Sequence, residues 1–338
     1  MGSGPRSTSL AVVVCLLFAP LVVLSGCAGG DDDGAEPIDD ATGHTATLRG
    51  VALTPRSFGE ADVATFLDLA DRAGDVLMHA GDWADLATAG NAFEVVEVIG
   101  PEHGMVPLVV VSASSAGQLL APLDAGTVDA RLGDLAAFVT AHEPPWLGIG
   151  NEVNMLADEN PGGYAEWLEV WERAVDIVAT ASPGTTVFPV LQYEWLLGRR
   201  GGLFGGTPGE PRWELLDGFD GADAIGFTSY PGLVVDSPDE LPPDYYEQIS
   251  LHSDLPVVFT EIGWQSDPGL ALNPGSEAEQ ADFVDRFFDL TRTLRPVITI
   301  WPFVHAESVE AEAFSSMGLR RPDGSARPAW DRWLAAPR

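Results

Sequence analysis

Lysine is absent. The positive charge of this 338-residue chain is 17 arginines set against 51 acidic residues, for a net charge of −34. A field of that sign repels phosphate backbones, so it argues against nucleic acid and other polyanions as partners and suits a neutral ligand. Cysteine is nearly absent as well. Of Cys15 and Cys27 the first lies in an N-terminal apolar stretch, so a chain that loses this stretch has no internal disulfide and depends on core packing. No apolar run reaches the ~20 residues that a membrane-spanning helix needs. No Gly-x-Gly-x-x-Gly turn follows the first strand-like run, so a doubly wound nucleotide-binding sheet lacks its signature. No pair of histidines has a tight metal-binding spacing, and neither a metal nor a cofactor is expected.

What is present begins with a leader. Arg6 precedes the apolar stretch Leu10–Leu24, which ends in Leu-Ser-Gly-Cys at residues 24–27. This pattern resembles a bacterial lipoprotein signal. The resemblance implies a signal peptide over residues 1–26, acylation of Cys27 and a domain held by lipid on the cell envelope, outside the cytoplasm. Residues 27–46, rich in Gly and Asp with little to bury, read as a flexible acidic linker.

From residue 47 to 338 the pattern is that of one domain. Eight short apolar runs recur: Leu48–Thr54, Asp75–Gly81, Met105–Ala113, Trp146–Glu152, Thr186–Tyr193, Ala222–Tyr230, Leu255–Glu261 and Pro296–Phe303. Strands that are apolar almost throughout are buried on both faces, as in a parallel sheet covered by helices. Between them lie helical patterns. Glu60–Ala73 places Val63, Phe66, Leu67 and Ala70 on one stripe, Tyr164–Ala181 does so with Trp167, Leu168, Trp171 and Val175, and Ser276–Leu294 opens with a Ser276/Glu279 capping box. Eight strands alternating with helices predict a single (β/α)8 TIM barrel.

Functional groups of such barrels lie at the C-terminal ends of the strands. The fourth run ends in Asn151-Glu152 and the seventh in Glu261. Two carboxyl groups at one mouth suit cleavage of a glycosidic bond, which needs a proton donor and a second carboxylate; a retaining site holds them about 5–5.5 Å apart. Aromatic residues fall at or just beyond strand ends: Trp83, Trp195, Trp264, Trp301, Tyr193 and Tyr230. Flat rings at a barrel mouth suit the apolar faces of sugars. Further polar residues follow strand two (His79, Asp82), strand five (Gln192, Glu194) and strand eight (His305, Glu307), and substrate contacts are expected of His79, Asp82 and Gln192.

The segments Gly148–Val153 (GIGNEV) and Thr260–Ser266 (TEIGWQS) resemble the retaining glycoside hydrolases of clan A, and among these most closely the family 17 β-1,3-glucanases. The resemblance implies Glu152 as acid/base, Glu261 as nucleophile, Asn151 as a contact to the sugar 2-hydroxyl, Trp301 as a platform and Tyr230 beside the nucleophile, with a neutral β-linked glycan as substrate. Ser229-Tyr230-Pro231 is also similar to the family 53 endo-β-1,4-galactanases. The chain departs from the family 17 pattern at Ile262 and Gln265, and Val153 stands where many clan members have proline. Two alternatives remain open at this level: a metal-dependent barrel using His79, Asp82, Glu152, Glu261 and His305, and a surface lipoprotein that binds glycan without cleaving it.

Overall fold

The computed structural model describes residues 47–87, 91–115, 117–306 and 311–337. The expected signal peptide, Cys27 and the linker to residue 46 lie outside them, as does Glu307.

All eight expected strands form: β1 (Leu48–Ala52), β2 (Val76–Asp82), β3 (Val106–Ser112), β4 (Trp146–Ile149), β5 (Thr186–Gln192), β6 (Ile225–Ser229), β7 (Val257–Ile262) and β8 (Ile298–Trp301). Each pairs in parallel with its sequence neighbours, and β8 pairs with β1 to close the barrel. Met78, Leu108, Val110, Phe188, Val258 and Ile300 fill the interior. Their chain neighbours, among them Leu77, Val109, Phe259 and Trp301, pack outward against the helices in a second and larger core. A parallel barrel buries both faces of every strand, which accounts for the apolar runs.

The covering helices are α1 (Glu60–Ala73), α2 (Asn91–Phe93, continued by Glu94–Ile99 and Gly100–His103), α3 (Ala125–His142), α4 (Pro161–Ala181), α5 (Glu277–Thr291) and α6 (Pro328–Ala335). Asp124 caps α3 by accepting from the amides of Gly126 and Thr127, and Asn160 caps α4 through Gly163, with Pro161 at the first helical position. At α5 Ser276 Oγ accepts from the Glu279 amide at 3.2 Å and donates to the Glu279 carboxylate at 2.8 Å. The buried stripe of α1 is Phe66, Leu69, Ala70 and Ala73, rotated from the expected one. Regular alternation fails in two successive connections. Between β5 and β6, and between β6 and β7, the chain makes only short helical turns, including Trp213–Gly218 and Glu247–Leu251. These connections are dense in Gly and Pro, which oppose longer helices.

Candidate active site

Glu261 faces the barrel mouth because of one extra residue. On β7 Val258 points inward and Phe259 outward, so strict alternation would send Glu261 outward with Phe259. The register with β6 slips here: Phe227 pairs with Phe259, but Thr228 pairs with Glu261. Thr260 is the surplus residue of this β-bulge, and beyond it the phase is reversed, with Ile262 in the outer core.

Glu152 is placed by a turn rather than a strand. β4 stops at Ile149, Gly150 takes φ 86°, and Glu152 itself adopts the left-handed conformation at φ 51°, ψ 31°. A Cβ on Gly150 would lie 2.7 Å from the ring of Trp167, so the turn needs glycine on two counts. A non-glycine residue held at positive φ stores strain that its surroundings must offset. Asn154 provides that hold: fully buried, it donates to the Gln192 carbonyl at 3.0 Å and accepts from the Gln192 amide at 2.8 Å, fastening the turn to the end of β5.

The two carboxyls meet with unequal partners. Glu261, 2% exposed, accepts from the Tyr230 hydroxyl at 2.5 Å and from Asn151 Nδ2 at 3.4 Å. Glu152 keeps a partly exposed edge and accepts from Thr228 Oγ1 at 2.7 Å. Burial dominates both, pushing Glu152 up to about 8 and Glu261 up to about 7. Repulsion from Glu261 and Glu194 raises Glu152 further, against one hydrogen bond that lowers it. Two hydrogen bonds lower Glu261. The donors therefore favour the charged form of Glu261 over that of Glu152. Burial and the neighbouring carboxylates hold the Tyr230 hydroxyl well above its ordinary range, so it remains a donor.

A third carboxylate, Glu194, lies behind the pair in the helical turn Tyr193–Leu196 and is fully buried. It accepts from Ser229 Oγ at 2.7 Å and the Tyr245 hydroxyl at 3.1 Å on one oxygen, and from Gln192 Nε2 at 2.7 Å and the Tyr230 amide at 3.0 Å on the other. Sequence reasoning noted Glu194 only as a polar residue after β5 and missed Asn154 and Thr228. The sole signal for Glu194 was its place after an apolar run.

The remaining expected substrate contacts are elsewhere. Trp301 faces outward, fully buried, with its indole N–H on the Met317 carbonyl at 2.9 Å and its ring 6.1 Å from Trp333; it offers no platform in this structure. Trp264 is also fully buried, 5.4 Å from Phe283. Trp83 donates to the Arg131 carbonyl and stacks edge-on against Trp167. Tyr193 packs among Phe227, Tyr245 and Tyr246 and donates to the Tyr245 carbonyl. His79, fully buried, has the outward phase of Leu77, with Nε2 3.4 Å from Asp85. Asp82 caps the following turn through the Ala84 amide and pairs with Arg131 at 3.2 Å. Gln192 is committed to Glu194 and to the Trp195 amide. Of the expected residues the structure thus brings together Asn151, Glu152, Tyr230 and Glu261. Among the described residues no group of three or more His, Cys, Asp or Glu side chains is arranged to hold a metal ion.

No protein-family model matches the chain, and no curated protein matches it. Solved structures do. An exo-β-1,4-mannosidase from the Opitutaceae bacterium strain TAV5 superposes with a TM-score of 0.63 at 15% identity, over 90% of this chain and 62% of the mannosidase. β-Glucuronidase 2 of Bacteroides uniformis gives 0.58 at 14% identity, over 87% of this chain and 35% of that protein. The GH53 catalytic domain of Ignisphaera aggregans gives 0.57 at 12% identity, over 86% of this chain and 96% of the domain. The chain therefore spans less than two thirds of the first two proteins and nearly all of the third. What this likeness shows is the fold: a TIM barrel of the kind found in these glycoside hydrolases.

Proposed function

We propose that the chain is a retaining glycoside hydrolase acting on a neutral β-linked glycan. The observation that carries the reading is the pair Glu152 and Glu261 at one mouth, with two donors on Glu261 and one on Glu152. In the first step Glu261 attacks the anomeric carbon as the bond to the leaving oxygen breaks, and Glu152 gives that oxygen its proton. A covalent glycosyl-enzyme results. Esterification removes the Glu261 charge, so Glu152 becomes more acidic and takes a proton from water, which attacks the anomeric carbon and releases Glu261. Asn151 Oδ1 is buried and has no hydrogen-bond partner among the described residues. It is an acceptor for a sugar hydroxyl beside the nucleophile, which supports the expected contact to the 2-hydroxyl.

Neutrality of the substrate is supported by charge. No arginine figures among the groups that perturb either carboxyl, and the chain has no lysine, so the pair itself offers a substrate carboxylate repulsion rather than attraction. The short motifs favour β-1,3-glucan and β-1,4-galactan as first substrates to examine. Export and attachment through Cys27 rest on the leader pattern, with residues 47–338 as the catalytic domain.

The test is a panel of β-glycans and aryl β-glycosides offered to the wild type, Glu152→Gln and Glu261→Gln, with and without prolonged chelation. Cleavage by the wild type that survives chelation and is lost in both variants is expected. Full activity in Glu261→Gln would overturn the assignment, loss on chelation would favour a metal-dependent enzyme, and glycan retention without product would favour a binding protein.

A further inference from the structure

Glu194 is a fully buried carboxylate whose four hydrogen-bond donors are all neutral: two side-chain hydroxyls, one carboxamide and one backbone amide. Burying a charge in this way is expensive, and an apolar or amide side chain would fill the place at less cost. Obligate donors occupy Oε2, so a proton has no room there; burial pushes the Glu194 carboxyl up, and the bonds from Ser229, the Tyr230 amide and Gln192 act against that rise. Four donors on one buried carboxyl favour its charged form, and two of them, at 2.7 and 3.0 Å, belong to the end of β6 and the residue after it. That end matters because Glu194 holds both Ser229 and Tyr230, and it is the Tyr230 hydroxyl that meets Glu261.

Resting on the glycosidase reading, we propose that Glu194 is a positioning residue of the same site: its carboxylate clamps the end of β6 so that the Tyr230 hydroxyl meets Glu261, and it sets a further negative charge beside the pair. The groups that face it are Gln192 from β5, Ser229 and Tyr230 from β6, Tyr245 and Tyr246 from the segment before β7, Tyr193 from its own turn and Glu152 from the turn after β4. The Arg199 guanidinium lies over the outer partner, 5.2 Å from the Tyr245 ring centre, and does not pair with Glu194. The four tyrosines are all held far above neutrality by burial, so Glu152 is the facing group that responds near neutral pH. Repulsion from Glu194 acts on Glu152 in the direction the proposal needs.

Glu194→Gln is nearly isosteric, and its carboxamide can be satisfied in place: the oxygen accepts from Gln192 and the Tyr230 amide, while the nitrogen donates to the hydroxyls of Ser229 and Tyr245, which can accept. The experiment is a carboxyl ¹³C NMR titration of the full-length protein labelled at glutamate Cδ, with Glu152→Gln and Glu261→Gln for assignment, alongside the pH profile of kcat/KM on an aryl β-glycoside. Removing the Glu194 charge is expected to lower the Glu152 midpoint by about half a pH unit or more and to move the alkaline limb of activity by the same amount. A merely structural role would lower stability or kcat and leave the midpoint in place, and that result overturns the proposal. If Glu194→Gln does not fold, Tyr245→Phe removes a single donor from Glu194, loosens its hold on the end of β6 and is expected to displace the acid limb of kcat/KM upward as the Tyr230 hydroxyl meets Glu261 less often; an unchanged acid limb there is likewise fatal. The titration is read without substrate, so a wild type inactive on every glycoside would count against the glycosidase reading and leave this result legible.

Discussion

Removing one hydroxyl, in Tyr230→Phe, isolates what holds Glu261 ionised. The ring would stay, packed edge-on against Phe314 with centres 4.9 Å apart, so the fold is expected to survive. Glu261 would keep only the 3.4 Å contact from Asn151. A hydrogen bond to a charged group contributes about 1.5–3 kcal/mol, which corresponds to roughly 1–2 pKa units. Glu261, already pushed up by burial, would then rise further toward or past Glu152, and a proton would settle on the proposed nucleophile. The productive form, with Glu261 charged and Glu152 protonated, becomes a minority species. At pH 7 kcat/KM is expected to fall about 10- to 100-fold, with the acid limb displaced upward and the bell narrowed, in a pH profile measured on an aryl β-glycoside. A variant whose acid limb stays in place, or whose loss is the same at every pH, would refute the account of Tyr230 as the group that sets the ionisation of Glu261.

Two further outcomes follow from the same contacts. Because folding raises Glu152 and Glu261 above their ordinary value, the native state binds more protons than the unfolded chain between about pH 4.5 and 8. The contribution of the pair to stability is fully present below that window and is lost as pH rises through it; thermal unfolding is expected at lower Tm at pH 8.5 than at pH 5, with the fall reduced in Glu152→Gln, and a flat wild-type profile would contradict the burial of the pair. Trp301→Phe removes a buried indole and its bond to the Met317 carbonyl and is expected to cost about 2 kcal/mol of stability with KM unchanged; a raised KM at unchanged Tm would return Trp301 to the substrate.

How much of this was legible in the sequence depends on phase. The eight strands were readable because a parallel barrel buries both faces of each strand, which leaves runs such as Met105–Ala113 apolar throughout. That same property erases the alternation from which the facing of a side chain is read. Trp301 and Glu261 end their runs alike, yet Ile298 and Ile300 take the interior positions of β8 and turn Trp301 outward, while the surplus Thr260 turns Glu261 inward. Strand counting finds the end of a strand; one residue of register decides which side it serves. Glu194 and Asn154 fall past the strand ends, where no period applies, and their importance appears only when β4, β5 and β6 are brought side by side. The paired carboxyls could be found by position, but the buried shell that gives each its hydrogen-bond donors is made of contacts between strands and has no sequence period at all.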